Sequence, residues 1–366
     1  MGYLFPSKDY PYDLYNSSHS PTLAHELDEG KSERSIVTVT ATSTITQTIT
    51  PTLPSASPTR HPIIILQHLT DNSHSTIGKY DSRLLLDRSP ADHERHAKIH
   101  GYRYIGDNAS YVEEKFHSRR KSNNKIHVLM KTLLVELGKP EGERAEWVFV
   151  TDADTVIYSP SIPLHHLIPS SRHDLPSETL FLGIKDFNGF NNGNMFLRVN
   201  RRMISFLAHA LSKEEERAQK IMRGERPLDP HGRVRDNFAS DQEPLSLAFL
   251  SPDNRDIREG FYKIPCHWVN FYPEQFRGNY TQELDELILQ VHYPNFRKWT
   301  YPLQPIVSHA EDVYSTAIGK ALNEGLVVSD SEGLELMEWY DRSRKVADEW
   351  WRRAKNGIEG IEFTTI

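Results

Sequence analysis

The sequence predicts an α/β protein built on a doubly wound, mostly parallel sheet. Three observations carry that reading. Apolar strand-length runs alternate with amphipathic helical stretches over roughly 90 residues, from "HPIIILQHL" to "EWVFVT". The runs are continuously apolar rather than alternating, as strands buried on both faces require. One of them, "WVFV", drives straight into two aspartates one residue apart, Asp152 and Asp154.

The elements follow in order. "IIILQHL" is the opening buried strand. "YDSRLLLDRSPADHERHAKIHGYRYIG" gives a helix closed at His100-Gly101, where glycine takes the left-handed conformation cheaply, and then a short strand, "YRYI". "NNKIHVLMKTLLVELGKP" is a helix whose apolar face is expected to carry Ile126, Met130, Leu133, Leu134 and Leu137, stopped by Gly138 and Pro140. After "EWVFVT" and the aspartate pair, "SPSIP" continues as loop. "TLFLGIKDFNGFNNGNMFLRVNR" reads as two strands joined by a Gly/Asn-rich connection, with a helix from about Arg201. "SDQEPLSLAFL" opens like a capping box, Ser240 with Glu243 three residues on. "GFYKIP" and "LILQVHYP" are short strands. "LELMEWYDRSRKVADEWWRRAK" is an amphipathic helix with Leu336, Trp339 and Tyr340 on the side that packs on the domain.

Three regions are expected: a Ser/Thr/Pro-rich stalk or linker over residues 1–60, a catalytic domain over 61–305, and a helical extension packed on it over 306–366. The chain has 366 residues, 37% hydrophobic, with a formal net charge of -7 and a mean hydropathy of -0.59. Nothing in that balance favours nucleic acid or an anionic membrane surface as a partner. Cys266 is the only cysteine, which excludes an intramolecular disulfide and a cysteine-built metal site. No run of 18 or more apolar residues is present, and the first residues lack the basic-then-apolar pattern of a signal peptide. Sequons at Asn16, Asn108 and Asn279 are compatible with a secretory route.

The aspartate pair is the chemical signal. In an isolated D-x-D the carboxylates serve as well to cap a turn. At a strand end they gain meaning, because open α/β sheets bind ligands beyond the carboxyl ends of their strands. Alternate residues leaving a strand can turn onto one cation, and oxygen ligands suit Mg²⁺ or Mn²⁺. Two enzyme classes use such a pair. "FVTDADTVIY" contains the opening pattern of haloacid-dehalogenase-type phosphohydrolases, but a whole α/β half precedes it here, and no later acidic pair completes that metal site. A nucleotide-sugar-dependent glycosyltransferase of the A-type fold has a nucleotide-binding half before its D-x-D, and the segment order matches this.

Taken together the segments resemble glycosyltransferase family 34, which holds fungal α-galactosyl- and α-mannosyltransferases and plant xyloglucan α-xylosyltransferases. The resemblance covers about residues 61 to 305 and rests on pieces in family order: "IIILQHLTDN", "ERHAKIHGYRYI", "KIHVLMKTLL", "WVFVTDADTVIYSPSIPL", "DFNGFNNGNMFLRVN", "SDQEPLSLAF", "VNFYPEQF" and "VHYPNFRKW". It implies a retaining, metal-dependent hexosyl transfer from a nucleotide sugar, UDP-galactose or GDP-mannose, to an oligosaccharide or glycoprotein acceptor. By the same resemblance Asp152, Asp154 and His292 would ligate Mn²⁺ or Mg²⁺, and Arg297 with Lys298 would bind the donor phosphates. Asp186, Asn191, Gly189 and Gly193 would form the sugar platform, and Asp241 with Gln242 would sit near the anomeric carbon. Lys125 would touch the donor, and Asp71 and Asn72 would lie by the base or ribose. For His292 a core or surface histidine is the plain alternative, for Arg297 and Lys298 a solvated basic pair, and for Asp241 and Gln242 a helix cap. The charged insert "SKEEERAQKIMRGERPLDPHGRVRD" reads as a mobile acceptor-side loop, and "NNGN" departs from the usual family sequence at the platform. The resemblance further implies a Golgi lumenal protein with a membrane anchor and partners in a Golgi complex, although the sequence itself shows no anchor. A non-catalytic glycan-binding relative is the third reading.

Overall fold

A computed structural model describes residues 63–69, 82–111, 123–169, 179–186, 189–225, 241–273, 287–294, 303–315 and 330–353. The expected stalk, together with Asp71, Asn72, Ser240, Arg297 and Lys298, lies outside the described residues.

The apolar run after Pro62 forms β1 (Ile63–His68), followed by α1 (Ser82–His100), β2 (Arg103–Asp107), α2 (Asn124–Leu137) and β3 (Trp147–Thr151). Gly101 closes α1 at φ 69°, the left-handed turn that its sequence announces. β1 pairs in parallel with both β2 and β3, so α1 and α2 must cross to opposite faces of the sheet. Beyond β3 lie a short strand β4 (Thr155–Ile157), then β5 (Phe181–Asp186), β6 (Gly189–Arg198), α3 (Arg201–Met222), α4 (Gln242–Leu250), α5 (Arg255–Glu259), β7 (Phe261–Lys263), α6 (Cys266–Val269), β8 (Gln290–His292), α7 (Leu303–Ser315) and α8 (Asp330–Arg353).

The main sheet runs β2-β1-β3-β6-β5-β7, with β6 antiparallel to both its neighbours and the other pairings parallel. Strand side chains alternate between two cores. Ile64, Leu66, Val148, Val150, Met195 and Leu197 face α2, α3 and α4, while Ile63, Ile65, Trp147, Phe149 and Phe196 face the other side with Trp268 and Trp351. That two-sided burial is why β1 and β3 read as unbroken apolar runs. Each such side chain contributes about 1.5–3 kcal/mol by leaving water. α8 packs through Ala347 and Trp351, with Trp350 edge-on to Trp268. The side chains of Leu336, Trp339 and Tyr340 are outside the described set.

Several expectations need correction. Leu134 is 52% exposed, and the buried stripe of α2 is instead Lys125, Ile126, Val128, Leu129, Thr132, Leu133 and Glu136. Polar residues hold part of the stripe because each has a partner: Glu136 accepts from Arg103, Lys139 and the Ala145 amide. The Gly/Asn-rich stretch after Gly189 is the strand β6 itself rather than a connection. The charged insert is helical over its first part, where α3 buries Glu214, Arg217 and Ala218. Glu243 pairs with the buried Arg217 of α3, while Ser240, the other half of the expected capping box, is outside the described residues. "SPSIP" is free of helix and strand as expected, but the three residues Thr155–Ile157 before it are extended. They form β4, which pairs antiparallel with β8 in a second, two-stranded sheet.

Candidate active site

The site lies where β1 and β3 part company. From β1 the chain goes through α1 to β2 on one side, and from β3 it goes on to β5 and β6 on the other; such a switch point opens a crevice at the carboxyl ends of the strands. Asp152 is the first residue beyond β3. Its carbonyl accepts from Gln67 Nε2 at the end of β1 (3.0 Å) and from Thr155 Oγ1 (2.7 Å), which fixes the turn that carries both aspartates.

The second sheet supplies the third group. β4 and β8 align Thr155 with His292, and the Tyr293 amide donates to the Asp154 carbonyl at 2.8 Å. His292, 2% exposed, thereby places Nε2 3.1 Å from Asp154 Oδ1 and 3.7 Å from Asp152 Oδ2. One ligand atom from each of Asp152, Asp154 and His292 falls within 4.8 Å of the others. Two carboxylates and an imidazole make a donor set that suits Mn²⁺ or Mg²⁺ with room for further oxygen ligands. Burial opposes charge on His292, yet the Asp154 and Asp152 carboxylates outweigh it and raise its pKa. Burial also pushes the Asp152 carboxyl upward against the pull of Lys125, and Asp154 adds to that push. A carboxyl that burial and a neighbouring carboxylate hold back from ionising, as Asp152 is here, favours added positive charge.

Gly193 on β6 completes the cradle. A Cβ there would stand 2.8 Å from Asp152 Oδ2, 2.9 Å from Asn191 Oδ1 and 2.9 Å from His292 Cε1. Only a residue without a side chain lets the strand pass this close.

Around the triad the structure gathers most of the described site residues. Lys125, buried at the start of α2, donates to Asp152 Oδ1 (2.6 Å) and to the Asn192 carbonyl (2.7 Å), and lies 3.5 Å from Asp241 Oδ2. Burial would lower its pKa, but Asp152 and Asp241 raise it, so the ammonium keeps its charge. Asp241 does not cap α4 with its side chain; its Oδ2 accepts from Asn192 Nδ2 at 2.8 Å. Asp186 at the end of β5 accepts on Oδ2 from Tyr272 Oη (2.6 Å) and Asn191 Nδ2 (2.8 Å), while Asn191 Oδ1 accepts from the Gly193 amide (2.7 Å). Gly189 lies across from Asp186 in the β5–β6 register. Gln242 stands beside Asp241 as the first residue of α4.

Asn192, Asn194, Asn270, Tyr272 and Gln290 also belong here and were missed. The signal for them is polar side chains at alternate positions of short extended stretches: 192 and 194, 270 and 272, 290 and 292. Tyr272 stacks on His292 with ring centroids 6.1 Å apart, and Asn270 Oδ1 lies 2.5 Å from His292 Nδ1.

No protein-family model matches the chain, and no curated protein matches it. Solved structures similar to it include two glycosyltransferases. A glycosyltransferase involved in the glycosylation of the major capsid of PBCV-1 aligns at 13% identity and TM-score 0.43, over 69% of this chain and 98% of that one. Mouse xyloside xylosyltransferase 1, apo form, aligns at 10% identity and TM-score 0.33, over 63% and 98%. Likeness this loose carries no inference, and the functional reading rests on the site. Among the described residues no helix is long and apolar enough to cross a membrane.

Proposed function

We propose that this chain is a metal-dependent, retaining glycosyltransferase that moves a hexosyl group from a nucleotide sugar to a glycan acceptor. The observation that carries the reading is the meeting of Asp152 and Asp154 with His292 at the sheet's switch point, beside Asp186, Asp241 and Lys125. A divalent ion held by those three side chains would neutralise charge on the departing diphosphate as a Lewis acid.

The chain's own residues do the rest by position. Asp186, held by Tyr272 and Asn191, offers a fixed carboxylate to sugar hydroxyls. Asp241, held by Asn192 and Lys125, offers a second one near the reacting carbon. Lys125 keeps positive charge against the donor side of Asp152. In the family the sequence resembles, the acceptor attacks from the face the leaving group vacates, and the leaving phosphate takes its proton. No side chain is then required as a base, and catalysis is positioning plus electrostatics. Arg297 and Lys298 for the phosphates and Asp71 and Asn72 for the nucleoside remain part of this proposal. So do UDP-galactose or GDP-mannose as donor, an oligosaccharide or glycoprotein acceptor, and a place in the Golgi lumen.

A dehalogenase-type phosphohydrolase is disfavoured by one feature: the third side chain at the pair is an imidazole delivered by an antiparallel strand, where that chemistry calls for a further carboxylate. The test is thermal stability with Mn²⁺ plus UDP or GDP, on wild type and Asp154→Ala. Ligand that binds only the folded chain raises Tm by mass action, about 2.7 kcal/mol at a hundredfold excess over Kd. A Mn²⁺-dependent shift with one nucleotide, lost in the variant, is expected. Phosphate-ester hydrolysis with Mg²⁺ and no nucleotide response would overturn it.

A further inference from the structure

The proposed metal ligand His292 needs its Nε2 lone pair facing the carboxylates, so the proton of the neutral ring has to sit on Nδ1. What holds it there can be traced. Gln290 Nε2 lies 2.8 Å from the Val269 carbonyl, and a backbone carbonyl only accepts, so this end of the Gln290 amide is the NH₂. Its other end, Oε1, lies 2.9 Å from His93 Nε2. The same Nε2 of Gln290 faces Asn194 Oδ1 at 2.5 Å, which also accepts from Thr151 Oγ1 at 2.8 Å; that end of Asn194 is therefore the oxygen. Asn194 Nδ2 then donates to Asn270 Oδ1 at 2.8 Å, and Asn270 Oδ1, now an acceptor, faces His292 Nδ1 at 2.5 Å. Each orientation forces the next.

All four residues sit in the interior: Gln290, Asn194 and Asn270 are 0% exposed and His292 is 2% exposed. Flipping any one amide would set donor against donor or acceptor against acceptor in the interior, leaving buried groups unsatisfied. The chain also joins separate elements: β8 carries Gln290 and His292, β6 carries Asn194, and the segment after α6 carries Asn270.

We infer that Gln290, Asn194 and Asn270 form an orienting relay that transmits the polarity of the Val269 carbonyl to His292 and fixes it as the Nδ1–H tautomer, with Nε2 presented to a divalent cation. They are positioning residues; none of them touches the cation. The inference rests on the metal-site reading proposed above for Asp152, Asp154 and His292.

Two measurements test it. The first needs no metal: ¹⁵N-histidine NMR of the intact chain, at a pH where the ring is neutral. Wild-type His292 is expected as Nδ1–H, and an Nε2–H ring would overturn the relay whatever the metal does. Asn194→Asp removes the donor that pins Asn270, so Asn270 is free to flip, and the Nδ1–H signal is expected to be lost. The second is Mn²⁺ affinity by calorimetry on variants whose folding is checked by melting. Asn270→Asp still offers His292 an acceptor and is expected to bind nearly as wild type. Asn270→Leu is expected to lose about 10- to 100-fold. Equal affinities for Asn270→Leu and wild type, or equal losses for the Leu and Asp variants, would overturn the relay. Wild type that shows Nδ1–H but binds no Mn²⁺ would instead sink the metal-site reading and leave the orientation of the ring standing.

Discussion

At the scale of single residues, Gly193 and Lys125 have opposite jobs. Gly193 is where β6 grazes the aspartates, and an added methyl there meets site atoms belonging to Asp152, Asn191 and His292. Gly193→Ala is expected to cost about 1–3 kcal/mol of stability, as small overpacking does, and to abolish most of the Mn²⁺-dependent Tm rise. A variant that melts lower but keeps the full metal response would show that the close approach has no bearing on the site. Lys125 is the buried cation that makes Asp152 and Asp241 tolerable without metal. Removing one partner of a buried pair costs about 3–5 kcal/mol; with Asp152 a third exposed, about 2–3 kcal/mol is expected for Lys125→Met. Added Mn²⁺ is expected to recover part of that loss, because the ion supplies charge to the same carboxylate. A melting series with and without Mn²⁺ decides it. Asp152 and Asp154 could be singled out from sequence because their chemistry needs only adjacency. For Asn270 and Gln290 the sequence offers only the alternate spacing of 270 with 272 and of 290 with 292, which names no partner for either amide.

At the scale of elements, α2 shows how polar residues mislead a periodic reading. Lys125, Thr132 and Glu136 look like the wet face of an amphipathic helix, yet all three are buried. Each has a partner that sequence does not name, so the apolar arc drawn through Leu134 is rotated from the true one. Burial alone would raise the Glu136 carboxyl, but hydrogen bonds from Arg103, Lys139 and the Ala145 amide prevail and hold its pKa at about 2. A depressed carboxyl stabilises the fold above its unfolded value of 4.5 and loses that contribution as pH falls toward about 2. Glu136→Gln is expected to cost about 2 kcal/mol at neutral pH, with Arg103 exposed enough to soften the loss. It is also expected to flatten the acid limb of stability over that window, as denaturant melts across pH would show. The β4–β8 pair is the complementary case. β8 was legible in "LILQVHYP" but β4 was not, and nothing in either names the pairing that sets His292 against Asp154.

At the scale of the whole molecule, a histidine group binds α1 to the segment after β4. His96 Nε2 faces the Ile162 carbonyl and His100 Nε2 the Pro160 carbonyl, each at 2.9 Å, and His100 packs against His96 at 4.5 Å between ring centroids. Burial, chiefly, pushes His96 well down, His100 to about 4 and His166 to about 3. His68 at the end of β1 is also lowered by burial, to about 4. The sign is that of histidines depressed in the fold: below pH 6.5 the unfolded chain takes up protons that the folded chain refuses, so stability falls as pH drops from about 6.5 toward about 4. Asp92 runs the other way, since burial raises its carboxyl to about 6 and its contribution shrinks as pH rises through that value. With the histidines in the majority, Tm is expected to fall between pH 7 and pH 5. His100→Gln, which keeps a donor for Pro160 but cannot charge, is expected to flatten that slope. An unchanged slope would mean that the cluster opens to water before it unfolds.

The sequence by itself determined the strands that are buried on both faces, the alternation that makes the sheet α/β, and the aspartate pair at the end of β3. All of these are local or periodic properties of a chain that must bury apolar surface. Only the tertiary structure decided which side chains complete the site. His292 lies 138 residues beyond Asp154 and Asn270 sits just after α6, and they meet because a short antiparallel pairing and a row of interior amides leave each polar group one place where its hydrogen bonds can be made.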